Sequence, residues 1–171
     1  MTAEALIKRA RSDLGKRTRH KLGAGGYGND KPAPGGGGGH DKDQCDCSGF
    51  VCWALNISRL TRNEYYRLVQ KTDWISTGRM YADCGDTAGL FRVSDQPKLG
   101  CIIVYPDGVL GPGTQGHVGL VTAVKNGAVK GIIHCSNGSF VRTGDAINES
   151  LDATWARMLS KSRFGWFVGL G

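Results

Sequence analysis

The segment QCDCSGFVCWAL, residues 44–55, decides how the rest of the chain is organised. Its first half is polar and follows a glycine-rich run, whereas its second half is strongly apolar. Apolar residues recur at helical spacing from Phe50 to Ile57, so the pattern predicts a buried helix that begins near Ser48.

This helix places Cys47 at its N-terminus, where free backbone N–H groups and the positive end of the helix dipole favour an anion. A thiolate is such an anion, and this position typically lowers a cysteine pKa from about 8.5 to roughly 3.5–7.5. We therefore expect Cys47 to be an activated nucleophile. The alternative is a small apolar residue at the start of a core helix.

Two histidines follow, each in or beside an apolar run: His117 in GHVGLVTAV, residues 116–124, and His134 in GIIHCS, residues 131–136. The sequence KNG at 125–127 predicts a tight hairpin turn between them. Because the two arms are nearly equal in length, we expect both histidines at the same end of the hairpin. A cysteine on a helix followed by histidines on strands is typical of a thiol peptidase. His134 could alternatively be a core histidine that a backbone carbonyl satisfies.

Three blocks resemble the signature of the NlpC/p60 family of cell-wall cysteine peptidases: DCSGFV at 46–51, GHVGLV at 116–121 and IH at 133–134. The resemblance implies a papain-like fold and a catalytic triad of Cys47, His117 and His134. It also implies hydrolysis of an amide bond in peptidoglycan stem peptides, of the γ-D-glutamyl to diamino-acid type.

The resemblance further implies substrate-binding residues. Asp46 and Ser48 would hold the amine-bearing end of the stem peptide, although their residue types equally suit helix N-caps. Residues 22–44 form a glycine-rich loop that we expect to border the cleft, with Tyr27 lining the substrate groove. A phosphate-binding loop is disfavoured because Gly-Lys-Ser/Thr and a preceding strand are absent; a domain linker is the other alternative.

Helical patterns come first and strand patterns afterwards, which predicts an α+β fold in a single domain, 1–171. We expect N-terminal helices packed on an antiparallel sheet of about five strands, with the Cys47 helix on one face and both histidines projecting toward it. Besides the Cys47 helix, the predicted helices cover 3–14, 63–71, 76–84 and 151–159, and the predicted strands cover 99–105, 116–124, 128–135, 139–142 and 165–170.

The charge is +7, and residues 1–22 alone carry a net +5. Apolar residues from Ala3 to Leu14 form a helical stripe, so we interpret these charges as a solvated helix face rather than a nucleic-acid site. A basic face would also suit anionic wall polymers. No apolar run approaches the roughly 20 residues of a membrane span.

Cys45, Cys47, His117 and His134 together offer four zinc ligands. The chain has no Cys-x-x-Cys pair, however, and Cys-x-Cys is poor spacing for a tetrahedral ion. The six cysteines do not suggest a disulfide framework either. We therefore predict an enzyme without a metal or another cofactor.

Residues 1–21 contain no apolar block of signal-peptide length. We therefore expect delivery to the bacterial cell wall by a phage or a secretion machine, with an immunity or delivery protein as a partner, or cytoplasmic action on recycled wall fragments. Cys101 also stands where the resembled family usually has an acidic residue. Two other functions stay open: a papain-like acyltransferase or deamidase with the same triad, and a catalytically silent wall-binding module.

Overall fold

A computed structural model describes residues 1–26 and 44–171. Tyr27 and most of the predicted 22–44 loop lie outside the described residues, so the predictions made for them stay predictions. In the described ranges, no helix is both long and apolar enough to cross a membrane.

Helices lie before and after a central run of four consecutive strands. The helices are α1 (Ala3–Arg11), α2 (Cys47–Ala54), α3 (Thr77–Asp83), α4 (Asn137–Thr143) and α5 (Ala153–Met158), with a π-helical turn at Tyr65–Val69 and a 3₁₀ turn at Leu159–Lys161. The strands are β1 (Arg19–His20), β2 (Gln44–Cys45), β3 (Phe91–Ser94), β4 (Ile102–Tyr105), β5 (His117–Lys125), β6 (Ala128–Cys135), β7 (Ile147–Glu149) and β8 (Arg163–Phe167).

Six of these strands form one antiparallel sheet in the order β3-β8-β4-β5-β6-β7. The short strands β1 and β2 pair in parallel, and β2 leads directly into α2. The predicted α+β class with a papain-like arrangement is confirmed, and the sheet has six strands where we expected about five.

The sheet separates two apolar cores, because side chains alternate between its faces along each strand. On one face, α1, α2 and α3 pack through residues such as Leu6, Phe50 and Met80 against Ile102 and Val118. On the other face, α5 contributes Trp155 and Met158, which pack with Ile103, Tyr105, Val121 and Ile132. Most of these side chains are fully buried, and each such burial contributes about 1.5–3 kcal/mol.

The hairpin between β5 and β6 follows the sequence prediction closely. Lys125 pairs with Ala128 across the two-residue loop Asn126-Gly127, whose φ angles are 52° and 72°. Positive φ at both loop residues is the geometry of a type I′ turn, which Asn-Gly favours. The register is irregular between Val121 and Val124 but returns to its original offset, so that His134 falls opposite Gly119, two residues after His117.

One predicted element has the wrong secondary structure, and two strands of the six-stranded sheet were not predicted. The predicted strand at 139–142 is part of helix α4, because Ser136 caps it by accepting a hydrogen bond from the Ser139 N–H at 3.1 Å, and Gly144 ends it with a φ of 76°. Strands β3 and β7 were not predicted, since each is short and only its first residue is buried.

Candidate active site

Helix α2 begins at Cys47, as the sequence predicted, and Asp46 is its N-cap. One oxygen of the Asp46 carboxylate, Oδ1, accepts hydrogen bonds from the Gly49 N–H at 2.7 Å and from the Ser48 hydroxyl at 3.0 Å. A Cβ on Gly49 would collide with the carbonyl oxygen of Ala24, so glycine at this position lets the backbone at Ala24 and Gly25 cross the start of the helix.

A buried arginine holds this helix start in place. Arg59 Nη1 donates to both carboxylate oxygens of Asp46 at 3.0 Å, and Nη2 donates to the Ser48 hydroxyl at 2.8 Å. The side chains of Arg59 and Asp46 are only 2% and 4% exposed, and the guanidinium lies 4.6 Å from the ring centroid of Trp74. The buried charge of Arg59 is tolerated because the Asp46 carboxylate compensates it and the guanidinium N–H groups have acceptors.

Sequence reasoning missed Arg59. It follows the Cys47 helix in the polar segment NISRLTR, residues 56–62, where nothing distinguishes it from the exposed Arg62. Of the two roles considered for Asp46, the structure contains the helix N-cap. Asp46 and Ser48 also line the cleft, and their predicted contact with substrate stays a prediction.

The two histidines are in direct contact. His117 opens β5, His134 lies near the end of β6, and His117 Nε2 is 2.8 Å from His134 Nδ1. Gly119 lies two residues after His117 on β5, and a Cβ at this position would stand 3.1 Å from His134 Cβ. The missing side chain therefore gives the two rings room to meet. Because Nε2 of His117 is occupied, its Nδ1 is the nitrogen left for a reacting group.

The histidines lie on a different face of the sheet from the one we expected. His117 pairs with Tyr105, so both side chains project toward the core that contains Trp155, whereas the next residue, Val118, faces α2. The rings of His117 and His134 lie 5.3 and 5.7 Å from that of Trp155. The expectation that both histidines project from the face covered by α2 is wrong; the site forms where the N-terminus of α2 reaches the end of β5.

Cys47, His117 and His134 nevertheless line one cleft of about 870 Å³. Polar residues on its other walls include His20, Thr77, Asp107, Arg142 and Asp152. No hydrogen bond joins Cys47 directly to His117 in the described part of the chain. The Cys47 sulfur instead lies 3.3 Å from the Thr77 hydroxyl.

The electrostatics differ from the expected low-pKa thiolate. Burial raises the pKa of the Cys47 thiol to about 11, and the Asp46 carboxylate acts in the same direction. Hydrogen bonding to Thr77 and to the Val118 backbone lowers this pKa but does not reverse the shift. The pKa of His117 is held well below 6.5, first by burial and then by His134. Loss of solvent around the Cys47 sulfur raises its pKa by more than the helix N-terminus lowers it. Cys47 and His117 therefore rest as a neutral thiol and a neutral imidazole.

The tautomers of the histidine pair follow from this geometry. When His117 accepts a proton at Nδ1, its Nε2–H must donate to His134 Nδ1, which leaves the proton of His134 on Nε2. That Nε2 is buried and has no hydrogen-bond partner among residues 1–26 and 44–171. Burial lowers the pKa of His134 to about 4, so this ring stays neutral at physiological pH.

All six cysteines are buried, and none of them is part of a disulfide. Cys45, two residues before Cys47, contacts Cys135, with a distance of 3.1 Å between their sulfur atoms. Within the described ranges, no three His, Cys, Asp or Glu side chains form a group that could hold a metal ion.

A comparison with known families matches residues 23–138 to the CHAP domain. The match covers well over half of the chain and includes Cys47, His117 and His134. CHAP domains are papain-like cysteine peptidases and amidases related to NlpC/p60, so the resemblance seen in the sequence is confirmed at the family level. A search of curated proteins gives no match.

Proposed function

The chain belongs to the CHAP domain family, whose members are peptidoglycan-hydrolysing amidases and peptidases, and on this premise we propose that it hydrolyses the γ-D-glutamyl to diamino-acid bond of stem peptides. The observation that carries the proposal is one cleft lined by a cysteine at a helix N-terminus and by a hydrogen-bonded histidine pair. The proposed catalytic residues are Cys47, His117 and His134.

In the first half-reaction, His117 is the general base and Cys47 the nucleophile. The thiol proton moves to Nδ1 of His117 as the sulfur attacks the amide carbon. The backbone N–H of Cys47 is one of the first-turn groups of α2 that have no helical partner, and it supports the negative oxygen that forms. His117 then gives its proton to the leaving amine, and the acyl group stays on Cys47 as a thioester.

In the second half-reaction, water replaces the amine. His117 takes a proton from water, the oxygen attacks the thioester, and the proton returns to the sulfur as the acid leaves. His134 orients His117 through the 2.8 Å contact, which fixes the tautomer needed in both halves.

Substrate contacts are proposed from the family resemblance. Asp46 and Ser48 would meet the amine-bearing end of the stem peptide, with Tyr27 as a further groove residue. Because Asp46 already accepts hydrogen bonds from Gly23, Gly49 and Arg59, we expect its effect on substrate to come mainly from its charge and from holding Ser48.

Digestion of purified muropeptides, followed by mass spectrometry of the fragments, tests this function. We expect cleavage between D-glutamate and the diamino acid by the wild type and none by Cys47→Ala. We also expect the wild type to keep its activity in a strong chelator, since the proposed chemistry uses no metal. Loss of activity on chelation with recovery on zinc would contradict this mechanism.

The same experiment separates the other functions. Transfer of the acyl group to an added amine would identify an acyltransferase. A mass gain of about 1 Da without chain cleavage, which results when an amide NH2 is replaced by OH, would identify a deamidase. Retention on insoluble peptidoglycan with no new fragments would identify a binding module.

A further inference from the structure

The Thr77 side chain contacts the Cys47 sulfur, a contact that the sequence did not predict. It is the first residue of α3, is half-buried, and lines the cleft. Ser76 occupies the N-cap position, and no side-chain hydrogen bond caps this helix. The Thr77 hydroxyl instead lies 3.3 Å from Cys47 Sγ, and this is its only hydrogen bond within the described ranges.

We propose that Thr77 is a further catalytic residue, whose hydroxyl donates a hydrogen bond to the Cys47 sulfur when His117 removes the thiol proton. This inference rests on the proposed function, because it assigns a role in the same reaction. Hydrogen bonds to an ionised group favour the charged form and are stronger than those between neutral groups.

The neutral resting state makes this donor important. Cys47 is almost fully buried, so solvent offers little stabilisation to the sulfur anion that forms during proton transfer. The Asp46 carboxylate disfavours the anion further. The Thr77 hydroxyl can accept from the thiol at rest and donate to the thiolate after rotation about its C–O bond, so one contact serves both states.

The position of Thr77 does not depend on its hydroxyl. Two fully buried side chains flank Thr77 in the sequence and anchor this segment: Ile75 before it and Met80 within α3. Gln70 also donates a hydrogen bond to the Arg79 carbonyl at 3.1 Å. Thr77→Val keeps the shape of the side chain and removes only the hydroxyl, so we expect α3 to stay in place.

The test compares the rate at which iodoacetamide alkylates Cys47 as a function of pH, followed by peptide mapping, in wild type, Thr77→Val and Thr77→Ser. The matched control is Thr87→Val, an exposed threonine outside the cleft. We expect Thr77→Val to shift the pH midpoint upward by about one unit or more, and Thr77→Ser to restore it. Turnover of a muropeptide should fall about 10- to 100-fold with little change in KM.

An unchanged midpoint in Thr77→Val, a failure of Thr77→Ser to restore it, or an equal shift in Thr87→Val would each overturn the inference. Thr77→Ala is a second variant that should show the same upward shift, and melting temperatures check that each variant is folded. Alkylation needs no substrate, so the result also stands if muropeptides are not cleaved; that outcome would refute the proposed function and leave the role of Thr77 decided separately.

Discussion

The two walls of the cleft hold their functional side chains in opposite ways. The wall that carries Cys47 is built on charge: Asp46 and Arg59 form a buried ion pair, surrounded by backbone and hydroxyl hydrogen bonds. The wall that carries the histidines is largely aromatic in its direct ring contacts, and the charges of Asp152 and Arg142 act on the pKa of His134 in opposite directions. His117 and His134 contact each other and Trp155, and His134 Nε2 has no partner in the described part of the chain.

This difference separates positioning from proton transfer. Asp46 raises the pKa of Cys47 while Arg59 lowers it, so the ion pair fixes the helix start without activating the thiol. The histidines are kept neutral by burial, and His117 can therefore accept a proton. Changes in the histidine wall should affect turnover most, and changes in the charged wall should affect stability most.

The largest effect is expected for His117→Ala. Without a proton acceptor, Cys47 stays a neutral thiol, and turnover should fall by about 10⁴-fold or more. The measurement is turnover on one muropeptide, with the melting temperature as a check on folding. Turnover equal to wild type would remove His117 from the mechanism.

Substitutions of His134 should cost less and should depend on the replacement. His134→Ala loses the orienting contact, which can cost up to about 10⁴-fold when the tautomer is wrong. His134→Asn or His134→Gln can still hydrogen-bond to His117, so each should retain part of the activity. If His134→Ala has wild-type turnover, His134 is a core residue and the triad needs another third member.

In the charged wall, Arg59→Met should mainly lower the free energy of unfolding. Removing one partner of a buried ion pair leaves Asp46 uncompensated, which costs about 3–5 kcal/mol. The exposed Arg62 provides the control, since Arg62→Met should change stability by less than about 0.5 kcal/mol. Denaturant unfolding measures both. Similar small losses for the two variants would mean that the ion pair does not stabilise the start of α2.

The smallest expected effect is in the pH dependence of stability. Burial lowers the pKa of His134 from its ordinary value of 6.5 to about 4 in the folded state, so the unfolded chain binds a proton first as the pH falls. The contribution of neutral His134 to the free energy of unfolding is complete above pH 6.5 and is lost as the pH falls toward 4. The loss amounts to about 2 kcal/mol between pH 7 and pH 5. His134→Gln should lose less stability than wild type over this interval. If denaturant unfolding gives the same change in the free energy of unfolding between pH 7 and pH 5 for both proteins, His134 is not the neutral histidine assigned here.

Local sequence signals predicted the elements that carry the proposed triad. The apolar spacing after Ser48 and the Asn126-Gly127 turn placed Cys47 on a helix end and the two histidines at one end of a hairpin. Both features depend on residues close together in the chain, where periodicity and turn chemistry are informative.

Contacts between distant segments were not predictable in the same way. Arg59 pairs with Asp46 only after the chain folds back, and its polar surroundings are those of an exposed cation. The thiol was expected to ionise because the helix N-terminus is visible in the sequence, whereas its burial is not. The same reason explains why the Thr77 hydroxyl beside Cys47 was missed.

The central claim, that Cys47 is the nucleophile, is tested most directly by titrating the protein with iodoacetamide and following two quantities together. Peptide mapping gives the fraction of Cys47 that is alkylated, and a muropeptide assay gives the remaining turnover. The account predicts that turnover falls in proportion to the unmodified fraction and reaches zero when Cys47 is fully alkylated. Turnover that persists in protein with fully alkylated Cys47 would contradict it.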